Sequence, residues 1–426
     1  MNTTSHKDIL VNFEKKPRIC SILYDGRSGS VFLQSLLDNH PDVSTFPATA
    51  LCGGRRGVHI NKILDQVESL SWGNLGQLFV DQYPVVFDSH DDTTNCRLHQ
   101  LGADQNETLN IKKEDFLRSW QSMDPLEKKS RRTFFIAIHM AYELAKGRSL
   151  GADFTIIHAM HTPEPSMEPL CSAFPEMKIL LMTREPLETF NSHFRHHIKA
   201  YEVENPGKNF WDLEESAEYP FHIFKNIFTS YENIGKWARN QNFVRAIRLE
   251  DLHERIEPTM KKLCHWLGIN YSNECKQATF GGKTHWGDIS IELKTGAWRP
   301  KGLFDWKKHY FKNDAEVLVT LLRGRYEIYQ YPYEKTLVKN TTNEFDQSAV
   351  LPNKWECEYL AHIYCTTSSE AQALFKTKAN FASSMLEKVF KSKKTELLTR
   401  IRKQITSRIE FSRSMFHRQE IQIPYL

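Results

Sequence analysis

The sequence predicts an α/β protein: a mostly parallel sheet flanked by helices, followed by a helical C-terminal extension. Three features carry that expectation. Short apolar runs alternate with longer stretches of helical spacing, the pattern of a parallel sheet. One such run, "RICSIL", leads through a glycine-containing turn straight into a helical stretch, "SVFLQSLLDNH". The last fifty or so residues place apolar side chains at helical steps with basic residues between them.

The buried strands are expected at Ile19–Tyr24, Phe154–His158, Lys178–Thr183 and Phe243–Arg248, where short runs are mostly apolar. Helices are expected at Ser30–Asp38, Arg132–Lys146, Pro186–Tyr201, Phe221–Gln241 and Pro258–Leu267. In the last of these Met260, Leu263, Trp266 and Leu267 recur at steps of three and four, an inward stripe. Asp91–Asn110 is polar and reads as a loop or insertion. The pattern breaks at Tyr331–Pro332–Tyr333, and a polar stretch, Lys339–Ser348, follows. The main domain is therefore expected over residues 1–335, with a basic, mainly helical extension over 336–426.

A chain of 426 residues with 40% apolar content buries a sizeable core. Residues 371–426 hold twelve Lys or Arg against four Glu and no Asp, a net +8. The total is +4, so residues 1–370 carry −4. A net negative body speaks against nucleic-acid binding. A solvent-facing helix is the simpler reading of the basic tail, with contact with an anionic membrane surface or with a partner as the alternatives. The eight cysteines include no C-x-x-C pair, which fits a reduced, cytoplasmic protein and no zinc-finger spacing. The first twenty residues show no apolar signal core, and no run approaches the ~18 residues of a membrane span.

The turn "DGRSGS", Asp25–Ser30, holds more than a turn needs. Gly26 and Gly29 permit positive φ and close approach of a ligand. The following helix start offers unpaired N–H groups and the positive end of its dipole. Ser28 and Ser30 add hydroxyls, and Arg27 adds a forked, permanently charged donor. Together these make an anion cradle. The ATPase and kinase loop G-x-x-x-x-G-K-[ST] is absent, as is the dinucleotide fingerprint G-x-G-x-x-G.

The loop resembles the 5′-phosphosulfate loop of the sulfotransferases that use 3′-phosphoadenosine 5′-phosphosulfate (PAPS). Their cytosolic members carry P-K-S-G-T-T-W. Here Arg27 takes the place of the lysine, Ser28, Gly29 and Ser30 match S-G-T, and Phe32 takes the place of the tryptophan. Many carbohydrate-directed and bacterial members carry R-S-G-S or R-S-G-T. A second stretch, "KILLMTREPLETFNSHFRHH", resembles the family's 3′-phosphate motif R-x-P-x-x-x-x-x-S, with Arg184 at the strand end and Ser192 eight residues on. Eight residues are about two helical turns, so both groups can meet one phosphate. A third, "RPKGLFDWKKHYF", is similar to R-K-G-x-x-G-D-W-K-x-x-F, which closes over the 3′-phosphate and adenine. Arg299, Lys301, Gly302, Asp305, Trp306 and Lys307 correspond, while Phe304 replaces the second glycine. A fourth, "RLEDLHERIEP", is similar to the family's Y-E-D-L segment with Leu249 for the tyrosine, and Glu250 and Asp251 read as structural.

The resemblance covers Ile19 to Phe311. It implies a P-loop-like fold, PAPS as donor and a hydroxyl or amine acceptor on a small metabolite, lipid or sugar. It implies no metal. Arg27 is then expected to bind the donor and stabilise charge on the departing phosphate. The remaining donor-binding residues are expected to be Ser28, Gly29, Ser30, Phe32, Arg184, Ser192, Arg299, Lys301 and Gly302. In "FTIIHAMHTPEP", His161 matches the family's T-H-L-P position and lies 23 residues before Arg184. It is the expected general base. His158 points to the opposite strand face, and Glu164 and Glu168 are the carboxylate alternatives. His193 and His197 sit four apart without a third metal ligand at sensible spacing. Two other readings remain: another nucleotide-dependent transferase such as a kinase, or a non-catalytic nucleotide-binding scaffold.

Overall fold

The computed structural model describes residues 17–24, 26–48, 50–51, 59–91, 96–124, 129–151, 153–160, 167–213, 243–287 and 305–349, with a few isolated positions beyond. Cα proximity groups the chain into two compact units. The first comprises Met1–Thr183, Asn233–Pro300 and Ile423–Leu426; the second comprises Arg184–Glu232 and Lys301–Gln422.

The first unit is built on five parallel strands: β1 (Arg18–Tyr24), β2 (Val43–Thr45), β3 (Thr155–Met160), β4 (Lys178–Thr183) and β5 (Val244–Arg248). Their spatial order is β2-β3-β1-β4-β5, with β1 at the centre. Ile22 lies opposite Ala159 of β3 on one side and Leu180 of β4 on the other. All four strands expected from the apolar runs form, within two residues at either end. The three-residue β2 escapes sequence reading because it is too short to show a period.

Up to β4 the helices of this unit are α1 (Ser30–Leu37), α2 (Asn61–Leu64), α3 (Trp72–Gln82), α4 (Lys113–Ser122), α5 (Arg131–Ala145) and α6 (Met167–Ala173). One core packs Cys20, Ile22 and Tyr24 of β1 with Leu33, Leu36 and Leu37 of α1. It continues into Met260, Leu263 and Leu267, three of the four residues in the expected stripe, while Trp266 packs only at the margin of that core. α3 and α4 meet through Trp72 and Trp120, whose rings stack at 4.0 Å. Each indole N–H donates to the other residue's carbonyl, at 3.0 and 2.8 Å.

The polar stretch Asp91–Asn110 is turn-rich, as expected, but Leu98, Leu101 and Leu109 of this region pack with Phe280 into a small core of their own. Phe280 belongs to a hairpin of β6 (Thr279–Phe280) and β7 (Lys283–Thr284). Three leucines scattered among polar residues give no periodic signal, so only the folded chain reveals that they cluster.

In the second unit, α7 (Pro186–Glu204) packs with α10 (Lys312–Leu321), and α11 (Arg323–Ile328) and α12 (Thr342–Ala349) follow. Two helices, α8 (Leu249–Glu254) and α9 (Ile256–Leu267), belong to the first unit and follow β5. Trp355 packs on Phe190, Phe194 and Tyr310, with ring centroids at 4.9, 4.6 and 5.3 Å. Ser348 donates to Glu316 at 2.5 Å, and Lys339 pairs with the same carboxylate at 2.8 Å. The expected helix Phe221–Gln241 and most of the basic tail lie outside the described residues. No described helix is long and apolar enough to cross a membrane.

Candidate active site

In the first unit the chain leaves β1 to one side for β2 and β3, whereas β4 and β5 lie on the other side. The carboxyl end of β1 is therefore a topological switch point, where parallel sheets leave a crevice for ligands. The loop at that end is Gly26–Gly29.

Arg27 has φ 72° and Gly29 has φ 90°, on either side of Ser28. Left-handed residues in a tight turn are the kind of backbone from which N–H anion nests are built. A left-handed arginine costs on the order of 1–2 kcal/mol, and such strain concentrates at binding and catalytic sites. Gly29 is required twice over. Its φ is one that L side chains rarely adopt, and a Cβ there would lie 2.4 Å from Leu249 Cδ1.

Gly29 also starts α1, its carbonyl accepting from the Leu33 N–H at 3.0 Å. No side chain caps this helix start, and no acidic residue occupies its first turn. A helix start with a glycine N-cap and no acid in its first turn is a favourable place for an anion. Ser28 and Ser30 are buried in the turn. Gln34 ties α1 to the end of β2 by donating to Thr45 Oγ1 at 2.7 Å and Phe46 O at 2.6 Å. At the other end of the helix, Asp38 accepts from Thr279 and the Gly282 N–H. The cradle therefore rests on a helix fixed at both ends.

Phe32 is half-buried and packs against the core, with its ring stacked on His253 at 4.9 Å and 9°. The histidine face is a contact the sequence did not announce, because the two residues are far apart in the chain. Asp251 is structural, as expected. It accepts from Arg248 at 3.0 and 2.7 Å and from Arg255 at 2.6 Å. Burial pushes its pKa up, but these hydrogen bonds and charges outweigh it and hold the carboxyl below its usual range.

His158 lies on β3 with its ring edge-on to Phe135, 5.4 Å away. Its Nε2 is buried without a hydrogen-bond partner. Burial, reinforced by His59, pushes its pKa down to about 3. It is a neutral core imidazole and a poor proton acceptor near neutrality. His161 and Glu164 lie outside the described residues, as do Arg299, Lys301 and Gly302. Glu168 is exposed on α6.

In the second unit, Arg184 precedes α7, which begins at Pro186 as expected from a fixed φ at the first helical position. The Arg184 guanidinium pairs with Glu188 Oε1 at 2.8 Å. Ser192 follows Glu188 by four residues, so the two occupy one stripe of α7. Helix geometry thus sets Arg184 and Ser192 on a common face. Glu185, between arginine and proline, caps α7 through Oε2, which accepts the Glu188 N–H at 2.5 Å. Its Oε1 accepts from the Tyr326 hydroxyl, also at 2.5 Å. Withdrawal from water raises the Glu185 pKa to about 7, against the opposing hydrogen bond from Tyr326. Nothing in the sequence signals this pairing.

His193 and His197 stack at 4.8 Å. Among the described residues they belong to no set of three metal-capable ligands; His40, Cys264 and Cys275 form such a set. Both His40 nitrogens are engaged there, Nε2 donating to Asn270 O at 2.7 Å and Nδ1 accepting from the Asp42 N–H at 3.0 Å.

A comparison with curated proteins finds no match. Among solved structures, the chain is similar to the sulfotransferase domain from the curacin biosynthetic pathway at 15% identity, over 78% of this chain and 97% of that one, with a TM-score of 0.37. It is similar to sulfotransferase STF9 from Mycobacterium avium at 12% identity, over 63% and 68%, with a TM-score of 0.36. It is also similar to retinol dehydratase in a complex with retinol and PAP, at 14% identity over 77% and 87%, with a TM-score of 0.30. The family model described as the sulfotransferase family matches residues 25–273, more than half of the chain. That match begins at the anion loop and runs through Arg184, Ser192 and the Leu249–Leu252 segment, and by it the chain belongs to the sulfotransferase family.

Proposed function

We propose that this sulfotransferase takes its sulfuryl group from PAPS and passes it to a hydroxyl or amine of a small metabolite, lipid or sugar in the cytoplasm. The observation that carries the reading is the Gly26–Gly29 turn: an arginine and a glycine in left-handed conformation, leading into a helix start that no side chain caps. These residues fit a phosphosulfate, whose negative oxygens suit a nest of N–H groups and a guanidinium. Arg184 and Ser192, on one face of the start of α7, suit the 3′-phosphate. Arg299, Lys301 and Gly302 are assigned to the same phosphate from the sequence pattern, and Phe32 to the adenine end. Its stacking on His253 supports the last assignment only as a ready aromatic platform.

When bound, the donor supplies an activated sulfuryl group that passes in line to the acceptor. The protein's own part is positioning and charge neutralisation. Arg27 cannot realistically surrender a proton, so its role is electrostatic: it neutralises charge on the departing phosphate. His161 takes the acceptor's proton. The reading invokes no metal.

Calorimetric titration with 3′-phosphoadenosine 5′-phosphate (PAP), with ATP and 5′-AMP as controls, tests the donor. Tighter binding of PAP than of either control, lost in Arg184→Ala, is the expected result. Equal binding of PAP and 5′-AMP would overturn the reading.

A further inference from the structure

Two tyrosines of the second unit, both from the chain after residue 300, grip the first turn of α7. The Tyr310 hydroxyl donates to the Leu187 carbonyl. The Tyr326 hydroxyl donates to Glu185 Oε1 at 2.5 Å, and both tyrosines are buried. The contact at Glu185 reaches further than the contact at Leu187. Glu185 uses its second oxygen to cap the Glu188 N–H, also at 2.5 Å. Glu188 in turn holds the Arg184 guanidinium at 2.8 Å. A hydroxyl 141 residues downstream is thereby linked to Arg184 through one carboxylate, one backbone N–H and one ion pair.

We propose that Tyr326, acting through Glu185, positions Arg184 to receive the 3′-phosphate of the donor. This rests on the donor reading given above. Glu185 without the Tyr326 hydroxyl keeps its backbone bonds at the start of α7 but gains freedom, because its Oε1 loses the bond from the far side chain. The first turn of α7 then loosens, and Glu188 moves with it. Arg184 has several rotatable bonds, and its guanidinium is useful to a phosphate only when the fork is oriented before binding. Glu188 does that orienting, so whatever fixes Glu188 fixes the arginine. Tyr326 and Glu185 are positioning residues and touch no reacting atom.

The test is a comparison of PAP with 5′-AMP on the full chain. The ratio of the two affinities isolates the 3′-phosphate, because the ligands are otherwise alike. Tyr326→Phe is expected to lower that ratio by about tenfold, the size of one buried hydrogen bond to a charged group, with 5′-AMP affinity unchanged. In an Arg184→Ala background, Tyr326→Phe is expected to lower the ratio no further, since it acts through the arginine. Glu185→Ala breaks the same bond from the other end and serves if Tyr326→Phe does not fold. Glu185→Gln keeps an oxygen for the Glu188 N–H and a donor for the Tyr326 oxygen, and it is expected to retain the ratio. A Tyr326→Phe protein with lower thermal stability but an unchanged ratio overturns the proposal and leaves the donor reading standing. Additive losses in the double variant overturn it equally. A wild-type protein that binds PAP no better than 5′-AMP overturns both.

Discussion

Gly29 and Leu249 are packed so closely that a Cβ on the glycine would fall 2.4 Å from the leucine Cδ1. Leu249 opens α8 at the end of β5, so the turn after β1 rests directly on the exit of a strand two places away in the sheet. Gly29→Ala meets both this contact and a φ of 90°. It is expected to destabilise the protein by about 1–3 kcal/mol and to weaken PAP binding with it. Denaturant melts and titration of the same preparation check this. Wild-type stability together with wild-type affinity would show that the loop tolerates a side chain, contrary to the geometry.

Arg27 sets stability against function. Its left-handed φ of 72° is a conformation glycine adopts freely. Arg27→Gly should therefore be more stable than Arg27→Ala, by about 1 kcal/mol. Both should lose about a hundredfold or more in turnover, because both lack the charge. Chemical denaturation separates the first effect and a sulfuryl-transfer assay the second. Equal stability of the two variants would remove the argument for strain.

The two histidines near the end of β3 should behave oppositely. His161→Ala is expected to lower turnover by a factor on the order of 10²–10⁴ with PAP affinity intact. His158→Ala is expected to act on stability, by about 1–3 kcal/mol, because it leaves a gap beside Phe135 in the core. Turnover that survives His161→Ala would move the base elsewhere.

Glu185 makes stability depend on pH in a defined direction. Its pKa rises from an ordinary 4.5 to about 7, because withdrawal from water outweighs the hydrogen bonds from Tyr326 and from the Glu188 N–H. Glu188 raises it further, by like charge. The folded protein then binds more protons than the unfolded chain between those values. Stability from this group is full below about 4.5 and is lost as pH rises through about 7. Glu185 as a whole residue is only partly buried, so the loss should be about 1–2 kcal/mol. Glu185→Gln should flatten that slope. Melts from pH 5 to 8 decide it, and a wild-type curve that climbs in parallel with the variant would refute the assignment.

The sequence by itself determined the local chemistry. Short, mostly apolar runs specify β1, β3, β4 and β5, and Pro186 marks the start of α7, because strands and helix starts are written in adjacent residues. The anion loop was legible for the same reason, since glycine, serine and arginine within five positions serve one turn. Asp251 could be read as structural from its place in the segment, and its two arginine partners stand within four residues.

Only the tertiary structure decided the rest. Strand order places β1 between β3 and β4, and no spacing in the chain encodes that neighbourhood. Phe32 meets His253, Gly29 meets Leu249, Trp72 meets Trp120, and Tyr326 meets Glu185 across 141 residues. Such contacts follow from how elements pack, and each partner taken alone looks like an ordinary aromatic or an ordinary acid. The left-handed φ of Arg27 belongs with them. Arginine carries no local preference for that conformation, so it is the packing on either side of the turn that holds it there.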